Sequence, residues 1–210
     1  MSRFQSFSGA LRFTLVAWLL LGLAYPLIEV AVNQALFPIQ ANGSLIRAHG
    51  RVIGSRLIGQ SFRGNRWFHG RPSAVKYNPM TSGGSNLGPT SHRLERHLLA
   101  RADRLREQHR SLRGTALPSD MVTSSGSGLD PDISPENAYL QASWIARARE
   151  IPLGVLDQLI ARHIHPRLLG LFGDPYVNVL DLNLALRHLS VMTRNGNRGG
   201  HRDKQPPVLQ

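Results

Sequence analysis

The sequence predicts an α+β protein, with a single N-terminal transmembrane helix followed by one compact extracytoplasmic domain. The first observation is an apolar segment, Ala10–Val32, ahead of a chain with no other stretch hydrophobic enough to span a bilayer. The second is that the remainder mixes helical periodicity with short alternating stretches typical of strands. The third is the absence of cysteine, so this domain must be held together by packing or by a partner rather than by disulfides.

The membrane helix is predicted from length and charge. Phe13–Ile28 is uncharged, and its apolar flanks extend it close to the ~20 residues that cross a bilayer. Arg12 and Glu29 lie near enough to the two ends to reach the headgroup layers. Two alternatives stay open, a signal peptide cleaved after Gly22-Leu23-Ala24 and a buried core helix of a soluble protein.

The orientation follows from the charges beside this helix. Arg3 and Arg12 are the only charged side chains before or within the start of the helix, which favours a cytoplasmic N-terminus and places the domain outside. The chain then divides into segments that differ in composition. They are a cytoplasmic N-terminus at 1–9, a transmembrane helix at 10–33, an α+β domain at 34–193 and a disordered basic tail at 194–210.

The elements of the domain are predicted in chain order from periodicity and turn residues. The expected strands are Leu45–Arg47 and Arg56–Ile58, around a bend at His49-Gly50, and later Asp120–Thr123. The expected helices are Ser91–His109, Ser134–Arg149 and Leu153–Ile164, and the segment Tyr176–Leu189 should begin as a strand and turn helical.

The clearest helix start in the chain lies at Ser134. This residue is a favoured N-cap, Pro135 suits the first helical turn, and Glu136 complements the helix dipole. Ile133 and Ala138 are spaced for a hydrophobic staple. A helix is therefore expected to begin here whatever the tertiary context.

Composition and missing motifs exclude several classes of function. The formal net charge of +12 would suit nucleic acid, anionic lipid or an acidic partner, and a domain outside the cytoplasm excludes nucleic acid. The chain has no P-loop and no serine-hydrolase elbow. His163 and His165 are two residues apart and point away from each other on a helix, so no metal site is expected. The aspartates beside Pro and Gly are expected to form turns rather than an acid site.

Two Ser/Gly loops could serve either packing or a ligand. Ser82–Asn86 and Ser124–Gly128 offer hydroxyls and unhindered backbone N–H groups, which suit a phosphate or a closely approaching backbone. Gly84 and Gly126 are expected to need positive φ. Gln141 lies beside the apolar stripe of its helix, where it is either a satisfied core amide or a contact for a ligand or partner.

Four motifs in fixed order resemble a known family. They are RPSA at Arg71–Ala74, SGGSNLGP at Ser82–Pro89, VTSSGSGLDPDISPENAYLQ at Val122–Gln141 and GDPYVNVLDLNLAL at Gly173–Leu186. Following one N-terminal helix, they resemble the C subunit of the bacterial Kdp potassium-transporting P-type ATPase, from the anchor to about Leu189. Asp132, where the family commonly has His, and Trp144-Ile145, in place of Arg-Val, depart from the pattern.

The resemblance implies a non-catalytic accessory subunit of an inner-membrane complex that imports potassium using ATP. Its partners would be a channel-like subunit, an ATP-hydrolysing subunit, a small membrane subunit and membrane lipid. It would have no cofactor of its own, ATP being shared with the pump subunit. The family's C subunit is described as a catalytic chaperone that raises ATP affinity through a Gln that follows a Ser/Gly loop. By position these nucleotide-binding residues are Ser125, Gly126, Ser127, Gly128 and Gln141.

The predicted topology conflicts with that nucleotide role. Arg3 and Arg12 place Gln141 outside, whereas ATP is inside. The alternative function is a membrane-anchored extracytoplasmic cap at the potassium entrance with no nucleotide role, whose helix packs on partner helices through Gly22 and Ala24. An anchored enzyme and an anchored lipid-binding module are the rival classes.

Overall fold

The computed structural model describes residues 3–48 and 50–198, with side chains at 7–48 and 50–189. The chain divides into two units, one ending at Ser55 and one beginning at Arg56. The first unit holds the apolar helix and a hairpin. The second holds the rest of the helices and a small sheet.

The apolar segment is helical throughout. Helix α1 (Arg3–Leu19) leads through a wide π-helical turn (Leu20–Ala24) into α2 (Tyr25–Leu36). Phe7–Leu36 is 30 residues long, with a mean hydropathy of 2.1, which is long and apolar enough to cross a membrane. Its most apolar window is 0% buried, unlike a core helix of a soluble protein. The wide turn stands just before Pro26, where a ring without an N–H disturbs regular helical bonding.

A hairpin ends the first unit, after the short helix α3 (Pro38–Ala41). Strands β1 (Leu45–Ala48) and β2 (Arg51–Ser55) pair antiparallel. The first predicted strand is confirmed, but the second, predicted at Arg56–Ile58, is wrong because the chain reverses at once. Gly50 has φ +76°, which returns the backbone tightly enough for pairing to start at the next residue. His49 lies outside the described residues.

The second unit is mixed helix and sheet, as the predicted α+β class requires. Its helices are α4 (His92–Gln108), α5 (Ser119–Val122), α6 (Pro135–Arg149), α7 (Leu153–His163) and α8 (Val179–Arg198). Its strands are β3 (Asp132–Ile133), β4 (Ile164–His165) and β5 (Tyr176–Asn178), which form an antiparallel sheet in the order β3-β5-β4.

Three long helices and the strand-to-helix change at Tyr176 confirm the predictions made from periodicity. The strand predicted at Asp120–Thr123 is wrong, because these residues form α5 and begin a turn. Pro118 precedes this helix, and Asp120 lies in its first turn, where a carboxylate is favoured. Helix α8 continues to Arg198, so helix replaces the disorder predicted for the start of the tail at 194–210, and residues 199–210 lie outside the described part.

The core of the second unit lies between α6, α7, α8 and the sheet. The apolar side chains that are fully buried there are Phe68, Leu112, Ala138, Ala142, Ile145, Leu156, Ile160, Val177, Leu182 and Leu186. Helix α6 is the central element, since seven of its residues are buried, among them the polar pair Asn137 and Gln141. Two buried side-chain amides in the same helix require hydrogen-bond partners within the core.

Candidate functional site

The start of α6 is tied to α5 by a polar network. Ser134 Oγ accepts a hydrogen bond of 3.1 Å from the Asn137 N–H, which confirms the predicted cap. The Asp120 carboxylate accepts bonds from the Ser134 N–H at 2.7 Å, the Ser134 hydroxyl at 3.1 Å and Asn137 Nδ2 at 3.0 Å. Asp120 is therefore an internal acceptor that holds the start of α6, and it lies in helix α5 rather than in the predicted turn.

Gln141 lies in the core, 3% exposed. Its Oε1 accepts from the His69 N–H at 2.8 Å, and its Nε2 donates to the His69 carbonyl at 2.9 Å and to Asn137 Oδ1 at 2.8 Å. Both amide hydrogens are used, so the side chain is a satisfied core amide, the first of its two interpretations. Burial also lowers the pKa of His69, which favours a neutral imidazole beside this amide.

A second buried amide makes the same contact one residue earlier. Asn183 Oδ1 accepts from the Phe68 N–H at 2.9 Å, and Nδ2 donates to the Phe68 carbonyl at 2.9 Å. Two amides from α6 and α8 thus pair with consecutive residues of a loop, as a neighbouring strand would. We call Gln141, Asn183, Phe68 and His69 the amide clamp. Asn183 was not among the residues predicted from the sequence, although an Asn among the leucines of an apolar helix face is a signal for a buried amide.

The two Ser/Gly loops pack directly on each other. The Gly83 N–H donates to the Ser127 carbonyl at 2.7 Å, and the Ser82 hydroxyl donates to the same carbonyl at 3.1 Å. A Cβ added to Gly84 would lie 2.9 Å from the Gly126 carbonyl oxygen, so the backbones approach too closely for a side chain. The loops therefore approach each other as closely as backbones that carry no Cβ allow.

The prediction of positive φ is wrong for Gly84 and Gly126, and Gly128 is the residue that needs it. Gly128 has φ +69°, and a Cβ there would meet the Gly83 carbonyl oxygen at 2.7 Å. A Cβ on Gly126 would meet nothing within 4 Å. The position that needs positive φ depends on how closely the two loops approach each other. No local sequence pattern shows this approach.

The RPSA motif supports the second of these loops. The Ser73 hydroxyl donates to the Gly128 carbonyl at 2.6 Å, and the Ser125 N–H donates to the Pro72 carbonyl at 3.2 Å. Arg71 forms an ion pair of 3.0 Å with Asp130 just beyond the loop. Three of the motifs that carry the family resemblance thus meet at one place.

The predicted nucleotide-binding residues differ in exposure. Ser125 is 3% exposed and Gly128 is buried, whereas Gly126 and Ser127 are at the surface. Within the described part of the chain, the hydrogen bonds of Gln141 go to His69 and Asn137 and none goes to Ser124–Gly128. The structure therefore joins the second Ser/Gly loop to the first one by hydrogen bonds and joins Gln141 to the amide clamp.

The aspartates line a shallow cleft of about 390 Å³ beside the sheet. Asp130 is paired with Arg71, and Asp132 Oδ1 accepts from Asn178 Nδ2 at 2.9 Å. Burial is the main cause that raises the pKa of Asp132, and the neighbouring charge of Asp130 adds to it. Among the side chains that the structure describes, no group of three His, Asp or Glu is placed to hold a metal ion.

His163 and His165, for which no metal site was predicted, make contacts within the protein. His163 Nδ1 lies 2.8 Å from the Leu159 carbonyl oxygen. His165 stacks on Tyr176, with ring centroids 4.8 Å apart. Their side chains are thus engaged with α7 and with β5 respectively.

Comparison with known proteins agrees with the motifs. Residues 7–188 match the family KdpC, described as K⁺-transporting ATPase, c chain. The potassium-transporting ATPase KdpC subunit of Methylobacterium nodulans is 51% identical over 186 residues, covering 82% of this chain and 91% of the relative. That of Gemmatimonas aurantiaca is 50% identical over 189 residues, covering 89% and 94%. That of Sorangium cellulosum is 52% identical over 181 residues, covering 84% and 94%. The chain therefore belongs to the KdpC family.

Proposed function

We propose that this chain is a non-catalytic accessory subunit of an ATP-driven potassium import complex in the bacterial inner membrane, where it assembles or stabilises the complex. Its partners are the channel-like subunit, the ATP-hydrolysing subunit and the small membrane subunit, together with membrane lipid. Membership of the KdpC family and the apolar helix Phe7–Leu36 support this proposal.

The observation that carries a structural role is the way the family motifs are used. Polar groups of the amide clamp and of the paired Ser/Gly loops form hydrogen bonds inside the second unit. Buried polar groups that are fully satisfied rigidify a core. A rigid body on a membrane anchor suits a subunit that acts by contact with its neighbours.

The placement of that body belongs to the same proposal. The charges of Arg3 and Arg12 favour a cytoplasmic N-terminus, which would leave the domain outside. There the domain would act as a cap at the potassium entrance. ATP does not reach this side of the membrane, so the proposed placement favours a structural role over a nucleotide role.

The second candidate function is that of a catalytic chaperone that raises the ATP affinity of the pump subunit. Gly126 and Ser127 are exposed at the surface, and the space beside the Gly126 Cα is open within 4 Å, which favours it. Ser125 and Gly128 would then shape the loop from beneath rather than touch nucleotide, and Gln141 would act only through the amide clamp. ATP would be shared with the pump subunit and not held by this chain alone.

Two experiments test these candidates. Affinity purification of the tagged full-length chain in mild detergent should retain the other subunits of the ATPase, and recovery of the chain alone would contradict the proposal. Photo-crosslinking the purified complex with an azido-ATP should leave Ser124–Gly128 unlabelled. Labelled peptides from this loop would establish the chaperone role instead.

A further inference from the structure

The loop between β4 and β5 exposes a cluster of large apolar side chains. Leu168 is 69% exposed, Leu169 82%, Leu171 76% and Phe172 62%. We call these four residues the apolar tip. Single exposed apolar residues are ordinary, but contiguous ones on a soluble surface mark sites of contact with a protein or a membrane.

The apolar tip has a defined shape although it is exposed. Leu168 and Phe172 exchange backbone hydrogen bonds of 2.9 and 3.0 Å. At the base of the loop, Arg167 and Asp174 form an ion pair of 3.0 Å. The loop is thus a short, closed hairpin, and a preformed surface loses less conformational entropy when it docks.

Leu169 is the residue that points most directly to a function. It has φ +53°, a left-handed conformation that glycine adopts freely and that a side chain disfavours. A leucine here is strained, and at 82% exposure it gains almost nothing from packing within the chain. Strained residues of this kind cluster at sites that bind a ligand or a partner.

We propose that the apolar tip docks into an apolar groove on another protein subunit of the ATPase complex. This inference rests on the proposed function and adds to it the surface through which the domain makes contact. The tip is a convex hairpin, so its complement is concave. Its side chains would be the buried anchor of a larger interface.

The size of the tip argues against a second copy of this chain as the occupant. Its four side chains, 62–82% exposed, offer well under the about 800 Å² that each partner buries in a stable dimer. A two-fold dimer would also have to pack this convex surface against itself. The area suits one contact point within a complex that other contacts and the membrane anchor already hold together.

Charge argues against lipid as the occupant. Stable binding to anionic lipid combines apolar insertion with unpaired basic residues beside it. The arginine that borders the tip, Arg167, is paired with Asp174 instead. A fluid bilayer also requires no particular shape, whereas the tip keeps a strained one.

The test uses Leu169→Gly in the full-length chain, with and without its complex. Glycine relieves the strained φ and removes the apolar side chain, so the melting temperature of the chain should stay equal or rise. Retention of partner subunits on dilution in mild detergent should fall about tenfold or more. Phe172→Ser should weaken retention in the same way.

Met80→Ser is the matched control, because Met80 is 87% exposed but lies outside the tip. This variant should retain the partners like the wild type.

The outcomes separate this inference from the proposed function. If the wild-type chain retains no partner, the proposed function fails and this inference fails with it. If the wild type and Leu169→Gly retain partners equally, only the docking inference is overturned. The chain has no cysteine, so Leu171→Cys, which keeps Leu169 and Phe172, can carry an environment-sensitive fluorophore, attached before assembly into lipid nanodiscs. A blue shift that requires the complex supports the groove, and a blue shift with the chain alone assigns the tip to lipid and overturns it.

Discussion

Replacing Gln141 by alanine separates the structural account of this residue from the nucleotide account. The substitution removes three hydrogen bonds and leaves the His69 N–H, the His69 carbonyl and Asn137 Oδ1 without their partner. Each unsatisfied buried group costs about 1–3 kcal/mol. His69 is only half-buried, so water can replace part of the loss there.

We therefore expect Gln141→Ala to lower the free energy of unfolding by about 2–4 kcal/mol. This is a large part of the 5–15 kcal/mol typical of a domain, so the yield of intact complex should fall as well. The measurements are the denaturant midpoint of the full-length chain in detergent and the subunit stoichiometry of the purified complex. The ATP dependence of potassium-stimulated hydrolysis is measured on whatever complex assembles.

Two control variants sharpen the comparison. Asn183→Ala removes the equivalent contact to Phe68 and should destabilise the chain to a similar extent. Gln108→Ala changes an exposed glutamine at the end of α4 and should stay within about 0.5 kcal/mol of the wild type. The structural account is refuted if Gln141→Ala assembles normally but needs several-fold more ATP, while Asn183→Ala does not.

Three further predictions concern single substitutions, the titration of Asp132 and the membrane topology. Gly128→Ala should cost more than ~1 kcal/mol of stability, because φ +69° and a contact of 2.7 Å both oppose a Cβ. Ser134→Ala, which removes the helix cap, should cost ~1 kcal/mol. Gly126→Ala should cost almost nothing, because an added Cβ meets no atom within 4 Å. A ranking by thermal unfolding in any other order contradicts this. Because burial raises the pKa of Asp132 above 3.8, the folded state binds its proton more tightly than the unfolded state. The wild type should therefore lose stability relative to Asp132→Asn as the pH rises through the region just above 3.8, and parallel pH profiles would argue against it. A reporter active only in the cytoplasm, fused after Leu189, should be silent, and a bright fusion would reverse the proposed topology.

The sequence alone determined the features that depend on neighbouring residues. An uncharged apolar run is long enough to span a bilayer in any context, and the order Ser134-Pro135-Glu136 begins a helix because cap, ring and charge all act within one turn. Helical periodicity located α4, α6 and α7 for the same reason. The ordered motifs were also sufficient to identify the KdpC family.

The tertiary structure alone decided which distant residues meet. Gln141 and His69 are 72 residues apart in the chain, and no pattern near either one shows that an amide will pair with that backbone. The strand predicted at Arg56–Ile58 was misplaced because the turn at Gly50 is tight. Pairing with the first strand therefore begins at Arg51, the next residue. The glycine that needs positive φ depended on how closely two loops approach. Exposure of Leu169 could not be foreseen either, because an apolar side chain is expected in a core until the fold shows that no core reaches it.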